Sequence, residues 1–137
     1  MSSTAIRHQN STVATISTKK SYAPLGHYSQ AFKSNGHIWL AGQIAADING
    51  QLIEGSVADQ ARQICKNTEE ILKEAGSSLD KAVKITACSV YTSDFSALPE
   101  FNEVYNSYFP QKPPRTSVEV SKLPLGVKFE MDVIAVE

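Results

Sequence analysis

The chain has few of the features that mark metal sites, disulfide frameworks or nucleic-acid binding. Its 137 residues include only two cysteines and three histidines, and neither group has the spacing of metal ligands. No run of Lys or Arg is present, and a formal net charge of −1 gives little attraction for a phosphate backbone. The sequence therefore predicts no metal site and makes a nucleic-acid partner the least favoured.

Long apolar runs are also absent. No segment approaches the ~20 apolar residues that a membrane-spanning helix needs, and no signal-peptide core opens the chain. The first acidic residue is Asp47, and we expect residues 1–10 to form a flexible, basic leader. A Ser/Thr-rich start without acids is also typical of a mitochondrial presequence. We therefore expect a soluble, cytoplasmic protein, with a mitochondrial location as the alternative.

What the chain does contain fits one globular domain over residues 11–137. Its length, its 42% of hydrophobic residues and its 20% of charged residues are ordinary for a protein with a single core. No internal repeat or linker divides it. Cys65 and Cys88 fall in a predicted helix and a predicted strand, where we expect packed, reduced thiols.

The order of strands and helices predicts an α+β fold. Asn35-Gly36 is a strong hairpin signal, and Ser56 with Asp59 forms a capping box before an apolar stripe of helical period. In chain order, the predicted elements are strand 12–18, hairpin 32–43, helix 57–75, strand 82–92, helix 98–108, and strands 115–121 and 127–136. This order favours one antiparallel or mixed sheet with both helices packed on one face.

Arg115 is the first candidate for chemistry. It follows Pro113-Pro114 and opens a predicted strand, so the prolines hold its backbone extended. A guanidinium at the end of a sheet can bind a carboxylate through two parallel hydrogen bonds, a geometry that Lys does not reproduce. A solvated surface arginine, or one paired with Glu119, fits the same pattern. The residues alone leave both interpretations open.

Glu130 and Tyr28 are two further candidates. Glu130 lies between Phe129 and Met131 in the last predicted strand. A carboxylate beside an apolar wall can have a raised pKa and handle protons near neutral pH, whereas a solvent-facing Glu would do neither. Tyr28 falls in a loop-like segment, where its ring either covers a ligand or packs into the core.

Three stretches of the sequence resemble the RidA family, also called YjgF, and the resemblance runs from about Ser11 to Glu137. They are Gly26-His27-Tyr28-Ser29-Gln30-Ala31, Ala41-Gly42-Gln43-Ile44, and Pro114 to Val120 continuing through Leu123-Pro124 to Lys128-Phe129-Glu130-Met131. The last stretch is specific, because its Arg, Val-Glu-Val, Leu-Pro and final Glu recur together in the family at fixed spacing.

The resemblance implies a chorismate-mutase-like (RidA-like) α+β fold that assembles as a homotrimer with three clefts between neighbouring subunits. It also implies an enzyme, a hydrolase that deaminates reactive 2-imino or enamine acids of the 2-iminobutanoate and 2-iminopropanoate type. The products are 2-oxo acids and ammonia, and no cofactor is used. The expected partner is therefore a small 2-imino or 2-oxo acid.

The resemblance also assigns roles by position. Arg115 would bind the substrate carboxylate, Glu130 would orient or activate water, and Tyr28 would line the cleft. The backbone around Ser117 would help to place the water. Ala41 and Gly42 would complete the substrate-binding surface.

The sequence departs from the family pattern at three places. The family often has Pro where His27 stands, Ser where Ala41 stands and Cys where Ser117 stands. His27 adds a titratable group beside the expected site, and Ala41 removes a hydroxyl. Two alternatives therefore stay open: a non-catalytic member that binds small acids or acts in regulation or as a chaperone, and an enzyme with another substrate in a specialised pathway.

Overall fold

The computed structural model describes residues 12–92 and 95–137. The predicted leader, residues 1–10, lies outside this range. Eight elements follow in chain order: β1 (Ala14–Ile16), β2 (Ala31–Ser34), β3 (His37–Leu40), α1 (Val57–Glu74), β4 (Ala82–Thr92), α2 (Leu98–Tyr108), β5 (Arg115–Glu119) and β6 (Phe129–Val136). Short 3₁₀ turns lie at Leu79–Lys81, Phe95–Ala97 and Pro124–Gly126.

The six strands form one mixed sheet in the order β1-β2-β3-β6-β4-β5. All pairings are antiparallel except that of β4 with β5, which is parallel because the α2 crossover joins them. The predicted α+β class and mixed sheet are confirmed.

Local signals in the sequence explain the β2–β3 hairpin. Asn35 and Gly36 both have positive φ, 51° and 76°, as a two-residue hairpin turn of the I′ type requires. Phe32 pairs with Trp39 across the two strands. The predicted hairpin is confirmed, with strand ends at Ser34 and His37.

Both ends of α1 are capped. Ser56 Oγ accepts a hydrogen bond from Asp59 N at 3.1 Å, and Asp59 Oδ2 accepts one from Ser56 N at 3.2 Å, which is the predicted capping box. At the other end, Lys33 Nζ donates to Ala75 O at 2.8 Å and forms an ion pair with Glu137 at 2.6 Å. A cation at the helix carboxyl end also matches the helix dipole. Lys33 thereby ties α1 to the sheet.

Some strands are shorter than the sequence predicts. The first strand, predicted over 12–18, spans only three residues at the sheet edge. The last two, predicted over 115–121 and 127–136, are separated by a longer connection from 120 to 128. The turn within it has positive φ at Leu125 (59°) and Gly126 (70°), a conformation that no strand adopts.

The core lies between the two helices and one face of the sheet. Phe129, Met131, Val133 and Ala135 alternate along β6 and are buried, as the period-two pattern predicts. Phe101 of α2 stacks on Phe129 with ring centroids 4.6 Å apart. Helix α1 contributes to the same cluster, so both helices cover one face, as predicted.

Cys65 belongs to this core and is fully buried. Burial raises the pKa of its thiol to about 12, and the negative charge of Glu69 adds to the shift. The thiolate, which is the reactive form, is therefore scarce at neutral pH. The expected packed thiol is confirmed at this position, while the side chain of Cys88 in β4 lies outside what the structure describes.

The opposite face of the sheet presents aromatic rings. Phe32 and Trp39, which pair across β2 and β3, expose 46% and 50% of their surface. Trp39 also pairs with the half-buried Ile134 of β6. An apolar surface of this kind on a single chain is typical of an interface. Over residues 12–92 and 95–137, the helices are too short or too polar to cross a bilayer.

Candidate functional site

A cavity of about 360 Å³ opens where the 22–28 loop, the end of β3 and the start of β6 meet. We call it the Glu130 pocket. Its walls include Tyr22, Tyr28, Ala41, Gly42 and Glu130. Leu25, Ile44, Pro124 and Leu125 complete it with apolar surface. A mostly apolar cavity with a few polar groups is the usual form of a small-molecule site.

The carboxylate of Glu130 lies on a strand whose other face is core. Its side chain is half-buried. Desolvation by burial raises the pKa of Glu130, and the negative charge of Asp132 raises it further. A carboxylate with a raised pKa exchanges protons closer to neutral pH than a solvated one. The pKa of Glu130 is therefore shifted towards neutral pH, the direction that proton transfer at neutral pH would need.

Gly42 packs directly against that carboxylate. A Cβ at this position would lie 2.7 Å from Glu130 Cδ, 2.9 Å from Cγ and 3.0 Å from Oε2, all closer than atoms can approach. A methyl group at residue 42 would therefore displace the Glu130 side chain, and the backbone of residue 42 forms the wall of the pocket beside the carboxylate.

A second groove, of about 600 Å³, adjoins the Glu130 pocket at Tyr28. Tyr28 and Ala41 line both cavities, and the groove continues over His27, Phe32 and Trp39. The ring of Tyr28 is 47% exposed, and its hydroxyl accepts a hydrogen bond from Leu25 N at 3.1 Å. Of the two interpretations of Tyr28, the structure supports the exposed ring beside a cavity.

Tyr22 also lines the pocket, and our sequence reasoning passed over it. The residue is only 3% exposed, and its hydroxyl accepts a hydrogen bond from Ile44 N at 3.0 Å. Burial raises the pKa of Tyr22 to about 12, and the nearby groups of Tyr28 and Glu130 contribute to the rise. The phenol therefore stays protonated. It lies in a segment without periodicity, so no local signal could have singled it out.

Arg115 lies in a different cavity of about 250 Å³, between α2 and the start of β5. We call it the Arg115 pocket. The guanidinium carbon lies 4.6 Å from the ring centroid of Tyr105, in a cation–π arrangement. The ion pairs found within 12–92 and 95–137 join other residues, so pairing of Arg115 with Glu119 is not seen. The Arg115 guanidinium therefore lies against the Tyr105 ring and lines the Arg115 pocket.

Two amides accompany this guanidinium. Asn102 and Asn106 of α2 line the Arg115 pocket together with Lys112. The Asn102 Oδ1 atom is buried and has no hydrogen-bond partner in the described part of the chain. Asn102 precedes Tyr105 by three residues on α2, so the two residues share one face of the helix. This spacing is the sequence signal that marks Asn102.

The candidate residues thus fall into two groups on one chain. Tyr28, Ala41, Gly42 and Glu130 share the Glu130 pocket, whereas Arg115 lines the other cavity. Ser117 is half-buried on β5 and lines neither of the two. Among the residues described, no group of three or more His, Cys, Asp or Glu side chains is placed to hold a metal ion.

Comparison with known proteins adds to this geometry. The family model described as Endoribonuclease L-PSP matches residues 18–137. A rat protein named 2-iminobutanoate/2-iminopropanoate deaminase is 41% identical over 124 residues, which cover 89% of this chain and 88% of the rat protein. The Saccharomyces cerevisiae protein named MMF1, mitochondrial, is 39% identical over 133 residues, covering 96% of this chain and 90% of its own.

A solved structure shows the same fold. The crystal structure of Escherichia coli TdcF with bound serine superposes with a TM-score of 0.83 at 30% identity, covering 90% of this chain and 98% of TdcF. The family match spans five of the six strands, β2 to β6, and both helices. The chain therefore belongs to the RidA/YjgF family, whose model carries the description Endoribonuclease L-PSP.

Proposed function

We propose that this protein is a hydrolase that converts reactive 2-imino or enamine acids, of the 2-iminobutanoate and 2-iminopropanoate type, into 2-oxo acids and ammonia. The observation that carries the proposal is the Glu130 carboxylate, which has a raised pKa and is packed against Gly42 in a mostly apolar pocket. The similarity to a rat protein named for this activity supports it.

The chemistry requires little from the protein. A protonated imine carbon is already electrophilic, so a positioned water and a neutralised carboxylate supply much of the rate. Glu130 accepts a proton from water as the oxygen bonds to the imine carbon, which gives a carbinolamine. That proton then passes from Glu130 to nitrogen, the carbon–nitrogen bond breaks and ammonia leaves with the electron pair, while the hydroxyl oxygen forms the carbonyl and gives its proton to the Glu130 carboxylate. The 2-oxo acid remains, and no cofactor takes part in the proposed reaction.

Arg115 is proposed to bind the substrate carboxylate. Its guanidinium is planar, held over Tyr105 and without an ion-pair partner among residues 12–92 and 95–137, so two of its N–H groups can form parallel hydrogen bonds with a carboxylate. Tyr28 is proposed to cover the substrate, with Ala41 and Gly42 beneath it and the Ser117 backbone helping to place the water.

Because Arg115 and Glu130 line separate cavities of one chain, the proposal includes a homotrimer. In a ring of three identical subunits, one surface of each chain meets a different surface of the next. Arg115 of one subunit would then face the Glu130 pocket of its neighbour. The exposed Phe32 and Trp39, on the sheet face opposite α1 and α2, support such burial between copies.

Binding without turnover is the second candidate function. The solved structure of TdcF holds serine, a small amino acid, which favours a site that recognises a carboxylate and an amino group. The missing hydroxyl at Ala41 also leaves room for a different substrate in a specialised pathway. In both alternatives Arg115 binds the carboxylate of the small molecule. The Glu130 pocket activates water only in the enzyme with a different substrate, and not in the binding protein.

We propose a cytoplasmic location, with the mitochondrion as the alternative. A relative whose name places it in mitochondria supports the alternative. Sequencing the amino terminus of protein recovered from its host cell distinguishes the two. Loss of the first residues would favour import and processing, and a start at Met1 or Ser2 would contradict it.

The test of the function couples the purified protein to a threonine dehydratase, which releases the imine of threonine. The rate of 2-oxobutanoate formation is compared for wild type, Arg115→Ala and a control, Arg62→Ala. Arg62 lies on α1, pairs with Asp59 and lines neither cavity. Acceleration by wild type and the control, lost in Arg115→Ala, supports the enzyme. Absence of acceleration together with binding of 2-oxobutanoate supports the binding protein.

A further inference from the structure

The pairing register between β3 and β6 shifts by one residue near Gly42. Trp39 pairs with Ile134, and the next bridge along the strands joins Gln43 to Met131. Residues 40, 41 and 42 lie between these pairs on one strand, against residues 132 and 133 on the other. One extra residue on one strand is a β-bulge, a feature that often re-aims groups beside functional sites.

The bulge leaves one backbone donor without a partner. Ala41 N donates to Gln30 O at 2.9 Å, and Gln43 N donates to Met131 O at 2.8 Å. Between them, the Gly42 N–H finds no acceptor in the part of the chain that the structure describes. Gly42 lines the Glu130 pocket, so its backbone forms part of the pocket wall.

The side chain of Gln43 controls the peptide that carries this N–H. Gln43 is 3% exposed, and its Nε2 donates to the carbonyl oxygen of Ala41 at 3.1 Å. That carbonyl and the Gly42 N–H belong to one planar trans peptide and point in opposite directions. Holding the carbonyl therefore fixes the direction of the N–H.

The backbone of Gln43 is fixed to β6. The Gln43 N donates to Met131 O at 2.8 Å, and Met131 N donates to Gln43 O at 3.0 Å, so the backbone is fixed to β6 next to Glu130. A hydrogen bond to a peptide carbonyl also polarises the whole peptide and strengthens its N–H as a donor. The single side chain thus acts on both the direction and the strength of the Gly42 N–H.

We propose that Gln43 is a positioning residue, which locks the bulge so that the Gly42 N–H faces the Glu130 pocket as a fixed donor to an oxygen of the substrate. This inference rests on the proposed function for the identity of that oxygen, a carboxylate or carbonyl oxygen of a small 2-imino or 2-oxo acid. Gln43 itself does not touch the substrate.

The test uses Gln43→Met, which keeps an unbranched side chain of similar length and removes the donor. Gln111→Met is the matched control, because Gln111 Nε2 also donates to a backbone carbonyl, that of Leu79 at 2.8 Å, and Gln111 lines neither cavity. Both are compared with wild type by ¹H–¹⁵N NMR of the assembled protein, with 2-oxobutanoate as the probe.

The expected result has a ligand-free part and a ligand-bound part. Without ligand, the Gly42 amide becomes more mobile on the picosecond–nanosecond timescale in Gln43→Met and stays rigid in the control. With 2-oxobutanoate, the downfield shift of the Gly42 proton seen in wild type shrinks in Gln43→Met, and the dissociation constant rises about tenfold, as for one lost hydrogen bond to a charged group.

A Gly42 amide that stays equally rigid in Gln43→Met overturns the inference, whether or not any imine is hydrolysed. If the Gly42 amide is rigid in wild type and mobile in Gln43→Met, but wild type does not accelerate imine hydrolysis, the proposed function is contradicted. The positioning role of Gln43 is then still supported. If Gln43→Met does not fold, hydrogen exchange of the wild-type protein provides the test. Side-chain amide protons of Gln43 that exchange as fast as those of the exposed Gln51 would contradict the hydrogen bond from Gln43 Nε2 to Ala41 O.

Discussion

The Glu130 carboxylate lies against the α-carbon of Gly42, so closely that a methyl group on Gly42 would come within 2.7 Å of the carboxyl carbon. This contact sets both the position of the acid and the shape of the pocket floor. It joins β3 to β6 where the register between them shifts by one residue. The candidate chemistry therefore depends on backbone geometry as much as on side chains.

The first prediction concerns Gly42→Ala. Residue 42 does not have positive φ, so alanine is compatible with its backbone, but the new methyl must displace the flexible Glu130 side chain. We expect near wild-type folding and a fall of about 10- to 100-fold in kcat/KM for imine hydrolysis, the range for a misplaced catalytic group. Coupled dehydratase kinetics measure it.

A double-mutant cycle gives the control. Glu130→Ala removes all three atoms that the new methyl would meet, so Gly42→Ala should cause little further loss of the residual activity in that background. Additive losses in kcat/KM would mean that the methyl acts on something other than Glu130.

Much of the fold could be predicted from short-range signals. The Asn35-Gly36 turn and the Ser56–Asp59 capping box each act within four residues, and the structure contains both. The alternation around Phe129 likewise gave the buried face of β6 correctly.

The site could be predicted only in part, because its geometry depends on contacts between distant segments. The bulge at Gly42 arises from the register of β3 against β6, and no local pattern encodes that register. The cation–π contact of Arg115 depends on where α2 packs and therefore on Tyr105. Tyr22 lies in a loop and is buried by the elements around it. The sequence shows that residues 42, 115 and 22 are glycine, arginine and tyrosine, but it does not show which distant residues they contact.

The second prediction is a pH dependence of stability caused by Glu130. Burial raises its folded-state pKa above the ordinary value of 4.5, so the folded protein binds this proton more tightly than the unfolded chain. The resulting stabilisation is complete below the unfolded pKa and is lost as pH rises through the raised pKa. Glu130→Gln removes the titration. The free energy of unfolding of Glu130→Gln relative to wild type should therefore increase with pH above 4.5 and then level off.

Urea unfolding at a series of pH values measures this difference. The matched control is Glu54→Gln, a substitution at an exposed carboxylate outside the Glu130 pocket. A flat difference between Glu130→Gln and wild type across the whole range would show that the Glu130 carboxylate is effectively solvated.

The third prediction concerns Tyr22→Phe. The Tyr22 hydroxyl accepts the buried Ile44 N–H, and phenylalanine leaves that donor without an acceptor. Leaving a buried donor unsatisfied costs about 1 to 3 kcal/mol in the free energy of unfolding. Since the pKa of Tyr22 is about 12, the loss should not change with pH in the neutral range.

Denaturant unfolding measures this loss, and Tyr28→Phe provides the comparison. The Tyr28 hydroxyl also accepts a backbone N–H, that of Leu25, but at an exposed position where water can replace it. We expect Tyr28→Phe to cost clearly less stability than Tyr22→Phe. Equal losses would contradict the assignment of Tyr22 as a buried acceptor.

The last prediction tests whether a site is shared between subunits. Arg115 and Glu130 line different cavities of one chain, so the proposed homotrimer must bring them together from neighbouring copies. Arg115→Ala and Glu130→Gln homotrimers should each be nearly inactive. A mixed trimer, however, contains sites with arginine from a Glu130→Gln chain and glutamate from an Arg115→Ala chain.

Unfolding the two variants together at equal concentration and refolding them should therefore restore activity. With random assembly, both wild-type residues meet at about one quarter of the sites, so we expect about a quarter of the wild-type rate per chain. Each variant refolded alone supplies the control, and light scattering confirms the assembly state. If the mixture stays as inactive as its components while forming trimers, each site draws Arg115 and Glu130 from the same chain, and the shared-site proposal is wrong.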